Sequence, residues 1–488
     1  MSPLFSLIIL PVAGAALMIA GTQARTTAIT AAALNFLASL IIFGTCDPNA
    51  GFQFVSSFPI APSLGIHFTL GADGLSAAML LLSTAITLAA VCIARTPAKN
   101  ADWFYASLLF ISAGAIGAFA SVDAFFFYMF HELALIPTFL LIGIWGTGDR
   151  QAAAWKVTTY LAFGSFVLLI GLIGLYVSLP QNDRTFDMRR IAELAASGAA
   201  QPQGAVYLLL FLGFGILVSL FPFHTWAPQA YAAAPAPAAM LHGGVLKKFG
   251  LYGILRLVTP VFPPDVAARF NTLLLILILG NILYIGFVTI SQRKLDLMLG
   301  YASVMHMGYL FLGILSWKAL GLSGAALMLV AHGLSIAALF ALSGELRERT
   351  GTLDFSELGG LAKAMPAFGL LFGFAAMSAA GLPGFANFAA ELMIFFGAFS
   401  AGAPVKFGFN EFQIVTIVAL WGVVISAIFM LRSYRRIFMG PIGDKWKGLP
   451  DIGAVPQLCV GGLILLLLIA GFFPQVVLAY VVPAVMSP

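Results

Sequence analysis

The chain reads as an all-α integral membrane protein of about fourteen hydrophobic helices, on three observations. Only 9% of its 488 residues are charged and 61% are hydrophobic, against about 25% charged in soluble domains. That leaves too little polar surface to cover a water-soluble globule. Apolar runs of about 20 residues, long enough to cross roughly 30 Å of hydrocarbon, recur from end to end, and no polar domain separates them.

These runs predict spans at 4–20, 27–45, 73–95, 103–120, 123–143, 155–178, 205–232, 237–258, 271–291, 297–316, 320–343, 364–402 (interrupted), 413–436 and 456–474. The first segment, MSPLFSLIILPVAGAALMIAG, has no basic start and the apolar pattern continues beyond it. It reads as a retained helix rather than a cleaved signal. Cys46, Cys92 and Cys459 lie far apart in sequence, with no CxxC spacing and no clustering with histidine, so neither a metal site nor an iron–sulfur cluster is expected.

Basic residues collect on the cytoplasmic side of membrane proteins. Of 24 Lys and Arg, fifteen fall in loops after odd-numbered spans, seven (Arg256 among them) on the opposite side, and Lys247 and Lys248 inside a span. The expectation is an even number of spans with both termini outside the cytoplasm. The net charge of +5 is then a topology signal and not a nucleic-acid footprint, because the basic residues are spread over membrane loops.

An ionisable group at mid-bilayer costs about 2.5–3.5 kcal/mol even on lenient scales, so each needs a reason to be there. In the fifth span, SVDAFFFYMFHELALIPTFLLIGIWG, Glu132 follows Asp123 by nine residues, about two and a half turns, which puts the two acids at different depths. Asp123 is suited to be a helix N-cap as much as a transport residue. Glu132 is read either as one half of a structural ion pair or as a proton-handling group, with His131 beside it as a co-occupant or a packing residue.

The eighth span, AAMLHGGVLKKFGLYGILRL, holds His242, Lys247 and Lys248 with no acid nearby. Adjacent residues point about 100° apart on a helix, so one lysine is expected to face the interior while the other snorkels or pairs with a neighbouring helix. Burial favours the neutral form of a lysine, as a group exchanging protons near neutral pH requires. His306 in YASVMHMGYL and His332 in VAHGLSIAALF are each read as a packed core histidine or as a relay, histidine being the side chain that titrates near physiological pH.

Two spans are interrupted. Pro383 stands between Gly381 and Gly384 in the twelfth, with Glu391 following; Pro222 and Pro228 flank His224 and Trp226 in the seventh. Proline removes a backbone donor, and broken backbone is tolerated in a membrane only where it is buried in protein or lines a wet cavity. A break in each half of the chain is the pattern of inverted-repeat transporters.

FHELALIPTFLLIGIWG, PFHTWAPQAY, GVLKKFGLYG, QRKLDLMLGYASVMHMGYLFLGI and GLPGFANFAAELMIFFGAF, preceded by GADGLSAAMLLL, resemble in order and spacing the antiporter-like subunit M (chain 4) family of respiratory complex I. The resemblance implies two inverted five-helix repeats, 103–258 and 271–436, with three helices before them in 1–102 and a last one in 456–488, and helices 7 and 12 broken. It matches Glu132 to the family's essential glutamate, Lys248 to its central lysine, His306 and His332 to its linking histidines and Glu391 to the charged end of the path. Asp123, Lys156, His224, His242 and Lys247 are auxiliary candidates. It further implies proton translocation coupled to quinone reduction elsewhere in the complex, with no cofactor and no redox chemistry in this chain. The expected partners are other membrane-arm subunits, lipid, protons and internal water, in a bacterial-type cytoplasmic (inner) membrane.

Two departures stand out. The family's seventh-helix lysine, seven residues before the histidine of the HTWAP motif, is Leu217 here, so Lys156 or Lys247 is expected to replace it as the partner of Glu132, or this half works differently. The family's Asp-x-Lys before the tenth helix is reversed as Lys294-Leu295-Asp296, which is expected to keep an ion pair there. The related subunit of a cation/proton antiporter or membrane-bound hydrogenase, and a non-pumping scaffold, are the alternatives. The ending VVPAVMSP, with no long amphipathic extension, favours a middle position in the membrane arm.

Overall fold

Lipid offers no partner to a backbone N–H or C=O, so spanning segments must be helical, and the apolar runs fold accordingly. The computed structural model describes residues 2–486; Met1 and the last two residues of VVPAVMSP lie outside the described residues. Among the described residues, ten helices are long and apolar enough to cross a bilayer: Ala24–Thr45, Gly74–Ile93, Ala101–Ala120, Ala124–Trp145, Arg150–Val177, Asn271–Ser291, Leu295–Leu315, Ala319–Thr350, Glu411–Phe438 and Ala454–Phe472. The remaining four spans are the shorter Pro3–Ile19, the two-piece seventh and twelfth, and the eighth. The seventh runs as Gly204–Val218 and Trp226–Ala233, the twelfth as Pro366–Ala379 and Ala386–Phe399. The core surrounds the eleventh span, which is buried along its whole membrane-crossing stretch, whereas the second and fourteenth present mostly apolar residues outward.

Three elements were not expected. Strands Gln53–Ala61 and Ile66–Ala72 form an antiparallel hairpin between the second and third spans. Met188–Ala196 is a short helix that turns Met188, Ile191 and Leu194 inward. After Pro474 the chain continues as Gln475–Met486, whose Tyr480 ring stacks on Phe43 at 4.2 Å.

Several acids are structural. Asp73, Asp123, Asp149 and Asp187 each cap a helix with a side-chain oxygen, supplying an acceptor to the free N–H groups of the first turn. Asp123 Oδ1 accepts from the Phe125 and Phe126 amides and Oδ2 from the His67 amide at 3.1 Å, so its carboxylate fastens the hairpin to the fifth span.

Two charge expectations are corrected. Arg256 is not a loop residue but lies buried in the last turn of the eighth span, paired with Asp73. Removing one partner of such a buried pair costs about 3–5 kcal/mol, because the other charge is stranded. Lys294 and Asp296 are not an ion pair with each other: Asp296 binds Arg347 at 2.6 Å, at the far end of the eleventh span.

The breaks follow one rule. In the twelfth span Ala379 O would receive the amide of residue 383, but Pro383 has none, and His306 Nε2 stands 2.9 Å from that carbonyl. In the seventh, Asn281 of the ninth span bonds the Phe221 amide with Oδ1 at 2.7 Å and gives Nδ2 to Ser219 O at 3.1 Å. Asn281 sits on a π turn, Gly280–Tyr284, whose extra residue turns its side chain into the break. Orphaning a buried backbone group costs about 1–3 kcal/mol, so Asn281→Leu should lower the thermal midpoint of the purified protein by several degrees. An unchanged midpoint would refute this role.

Candidate functional site

The eighth span carries the site because it is not a regular helix. Gly243 and Gly244, poor helix formers, fall in the π turn His242–Leu246, and Lys247 donates its amide back to His242 O. The glycines also admit close neighbours: a Cβ on Gly244 would meet Ile86 Cδ1 at 2.9 Å. The widened turn delivers both lysines into the interior. Lys247 is 1% and Lys248 0% exposed, so neither snorkels, and Lys247 meets the other expected alternative by bonding Ser303 on the tenth span. Their 100° divergence instead sends them to different helices.

Lys248 Nζ stands 2.8 Å from His332 Nδ1 on the eleventh span and donates to Gly243 O at 3.0 Å. Across the lysine–histidine contact either partner can hold the proton: an ammonium donates to the imidazole nitrogen, and a neutral amine accepts from Nδ1–H. The His332 and His306 rings are 5.6 Å apart between centroids. Both His306 nitrogens face carbonyls, Nδ1 to Ala302 O at 2.7 Å and Nε2 to Ala379 O. A neutral ring satisfies one of them and an imidazolium both.

Beyond the histidines the break is lined by a hydroxyl–amide series: Ser335, Asn387 and Ser378 are joined at 3.3 and 3.1 Å. Glu391, one turn after Asn387, is buried. Its carboxylate lies against Gly381, whose φ of +71° is open to glycine and where a Cβ would collide with Glu391 Oε2.

Lys247 Nζ donates to Ser303 Oγ at 3.3 Å and sits 5.7 Å from the Tyr231 ring centre, while Tyr231 OH meets His242 Nδ1 at 3.2 Å. His224, buried and stacked on Phe221, leaves Nδ1 without a hydrogen-bond partner. Lys156 Nζ donates to Gln229 Oε1 at 3.0 Å. Gln229 also lines a cavity of about 690 Å³ with Asp149, Lys294, Asp296 and Arg347.

Glu132 stands apart. Its Oε1 accepts from Ser165 Oγ and lies 3.4 Å from His131 Nδ1, so neither Lys156 nor Lys247 replaces the missing lysine. Leu217 is buried against the sixth span at Gly164, next to Ser165. The His131 ring stacks on Phe249 at 4.1 Å and Phe249 on Phe127 at 4.2 Å, setting aromatic rings on the side toward Lys248. The Glu132 side chain is 33% exposed at the edge of the chain, between the outward-facing Met129, Leu133 and Ile136.

Sequence reading missed Ser165, Tyr231, Asn281, Ser303, Ser335 and Asn387. The lone Asn281 in an apolar run and Asn387 beside the Pro383 break were the available signals, since an amide in a span must be paired.

Residues 120–416 match the family model described as NADH:quinone oxidoreductase/Mrp antiporter, transmembrane. The chain is 33% identical over 482 residues to NADH-quinone oxidoreductase subunit M of Rhodobacter capsulatus, covering 96% of this chain and 90% of that one. It is 31% identical to subunit M of Rickettsia felis, covering 92% and 89%. Its structure superposes with a TM-score of 0.87 on a chain of respiratory complex I from Thermus thermophilus with bound NADH, at 28% identity and full coverage of both. The Mrp complex from Dietzia sp. DQ12-45-1b shares the fold at 20% identity and a TM-score of 0.86, over 52% of its chain. The motifs, the fourteen-span fold and these likenesses agree: this chain belongs to the subunit M (chain 4) family of complex I-type NADH:quinone oxidoreductases.

Proposed function

We propose that the chain translocates protons within the membrane arm of a complex I-type oxidoreductase, with Lys248 as the exchanging base. The carrying observation is a wholly buried lysine 2.8 Å from a histidine, a contact that can hold a proton on either side. Protons enter from the cytoplasmic side through the cavity at Gln229, Asp296 and Arg347 and pass His224 to Lys247 and Lys248. They go on by His332 and His306 to the break at Asn387 and Glu391. His242 orients Tyr231 beside Lys247, Lys156 lies at the cavity mouth, and Asp123 has no part beyond capping. The redox chemistry belongs to other subunits.

Glu132 acts at the edge of this path. A half-exposed carboxylate between apolar side chains is not stable against hydrocarbon, so the fifth-span face meets a neighbouring membrane-arm subunit that supplies the polar partner this chain lacks at Leu217.

Two inverted five-helix units, 103–258 and 271–436, are supported by a matching detail. In each unit the second span opens on a backbone bridge to the loop between the third and fourth, Asp123 with Asp187 and Lys294 with Asp354, and the fourth span is the broken one. By the distribution of basic residues, the Asp354 end is cytoplasmic, both termini lie on the other side, and the setting is a bacterial-type inner membrane.

A group that carries a proton in a reaction is worth about 10²-fold or more in the step it serves. In the reconstituted complex, Lys248→Met should therefore abolish proton uptake through this subunit, and Glu132→Gln should lower it. Unchanged proton-to-electron stoichiometry in both variants would make the chain a scaffold.

Glu391 has its own test. Gly381→Ala and Gly351→Ala place alanine at the same φ of +71°, a strain of about 1–2 kcal/mol, but only the first puts a Cβ into the Glu391 carboxylate, the second meeting nothing within 4 Å. Gly381→Ala should lose pumping while Gly351→Ala keeps it. Equal pumping in both would remove Glu391 from the path.

A further inference from the structure

At the end of the bundle remote from Gln229 and Arg347, three spans meet around a second cavity of about 500 Å³, the size of a small-molecule site. Arg256 is in the last turn of the eighth span, Trp317 directly follows the cap of the tenth, and Leu322 is in the first turn of the eleventh. Span ends lie at the depth of lipid headgroups. The short helix Met188–Ala196 brings Arg189 and Glu193 to the rim, their side chains partly in water.

Two enclosed donors in this cavity have no acceptor among the described residues, Arg256 Nε and the Trp317 indole Nε1. Arg256 is nine-tenths buried. Its Nη2 serves Asp73 and Ser76, its Nη1 donates to the Ala484 carbonyl at 3.4 Å and its face lies over Phe52 at 5.2 Å, so Nε alone is left over. Trp317 has a φ of +53°, a left-handed conformation that glycine usually takes after a helix and that costs a bulky residue about 1–3 kcal/mol. Strain of this kind is kept at ligand clamps, and here it sets an indole in the cavity wall. Neither Nε can accept a hydrogen bond, so an occupant must bring acceptor oxygens to both.

We propose that this cavity holds the headgroup of a zwitterionic phospholipid, its phosphate accepting from Arg256 Nε and Trp317 Nε1 and its ammonium standing beside Glu193. A phosphate is the strong acceptor found at that depth, and a guanidinium hydrogen bond to it is charge-assisted.

The charges of the lining select the lipid class. Two acids, Asp73 and Glu193, face two bases, Arg189 and Arg256, so the site has no surplus positive charge for an anion that lacks a cation of its own. Leu255, Leu322 and Met486 supply an apolar wall for the glycerol and the first methylenes of the chains.

The test uses the purified intact complex, depleted of lipid in detergent, and a phosphatidylethanolamine that carries a photoactivatable diazirine beside the glycerol. Cross-linked peptides are mapped by mass spectrometry. Adducts should fall on the segments 189–193, 255–260 and 317–322. Unlabelled phosphatidylethanolamine should suppress them at about tenfold lower concentration than phosphatidylglycerol, the worth of one ionic contact, and inorganic phosphate should not suppress them. Trp317→Phe keeps the ring and the backbone angle but removes the N–H, and should weaken labelling about tenfold or more, as loss of one hydrogen bond to a charged group does. Glu193→Gln should erase the preference between the two lipids. Adducts only elsewhere, labelling unaltered by Trp317→Phe, equal suppression by both lipids in the unmodified complex, or suppression by inorganic phosphate, which would make the occupant a free anion, would each overturn the proposal.

Discussion

The structure turns on the need to satisfy backbone groups where helices are interrupted inside the membrane. Each interruption in lipid would strand donors and acceptors at several kcal/mol apiece, so every break must be faced by a polar side chain from another span. At the seventh span that side chain is Asn281, and at the twelfth it is His306. Pro383 creates a free carbonyl, and the histidine that covers it is the one beside His332 and Lys248. Structural repair and the proposed proton line therefore use the same imidazole, and neither can be changed without the other.

The π turn in the eighth span belongs to the same logic. A regular helix would turn one of two consecutive lysines toward lipid or a helix with nothing to offer it. Widening the turn at Gly243 and Gly244 brings Lys247 to Ser303 and Tyr231 and Lys248 to His332, on two different neighbours. Two buried amines in adjacent positions repel when both are charged, more strongly in a medium of low dielectric. A proton on one disfavours a proton on the other, which suits a pair that passes charge rather than storing it.

Much of this was legible in the sequence, and the rest was hidden for definite reasons. Span positions follow from apolar length, and the breaks from Pro222 and Pro383, because the bilayer leaves few solutions. Side-chain direction was less accessible: a π turn shifts the phase of every later residue in its span, so helical periodicity alone did not say which lysine meets which neighbouring span. Arg256 looked like a loop residue because charge was weighed without its partner Asp73, which is 183 positions away. The Asp296–Arg347 pair joins segments whose proximity depends on how the bundle closes, and no local pattern carries that.

The two halves differ in how complete they are within one chain. From Lys248 to Asn387 each polar group named has a protein neighbour, and the eleventh span, which carries His332 and Ser335, is buried along its whole membrane-crossing stretch. Glu132 sits at the opposite extreme, on an outward face, with a serine and a histidine but no permanent cation. Leu217, where the resemblance to the family implies a lysine, fills the interior volume beside Gly164, and the Glu132 carboxylate is met by Ser165 and His131 instead. On the proposed function, the charge state of Glu132 depends on what stands outside the fifth span, whereas Lys248 is enclosed. On that proposal, a chain that keeps its base inside and its acid at the border can respond to an event next door.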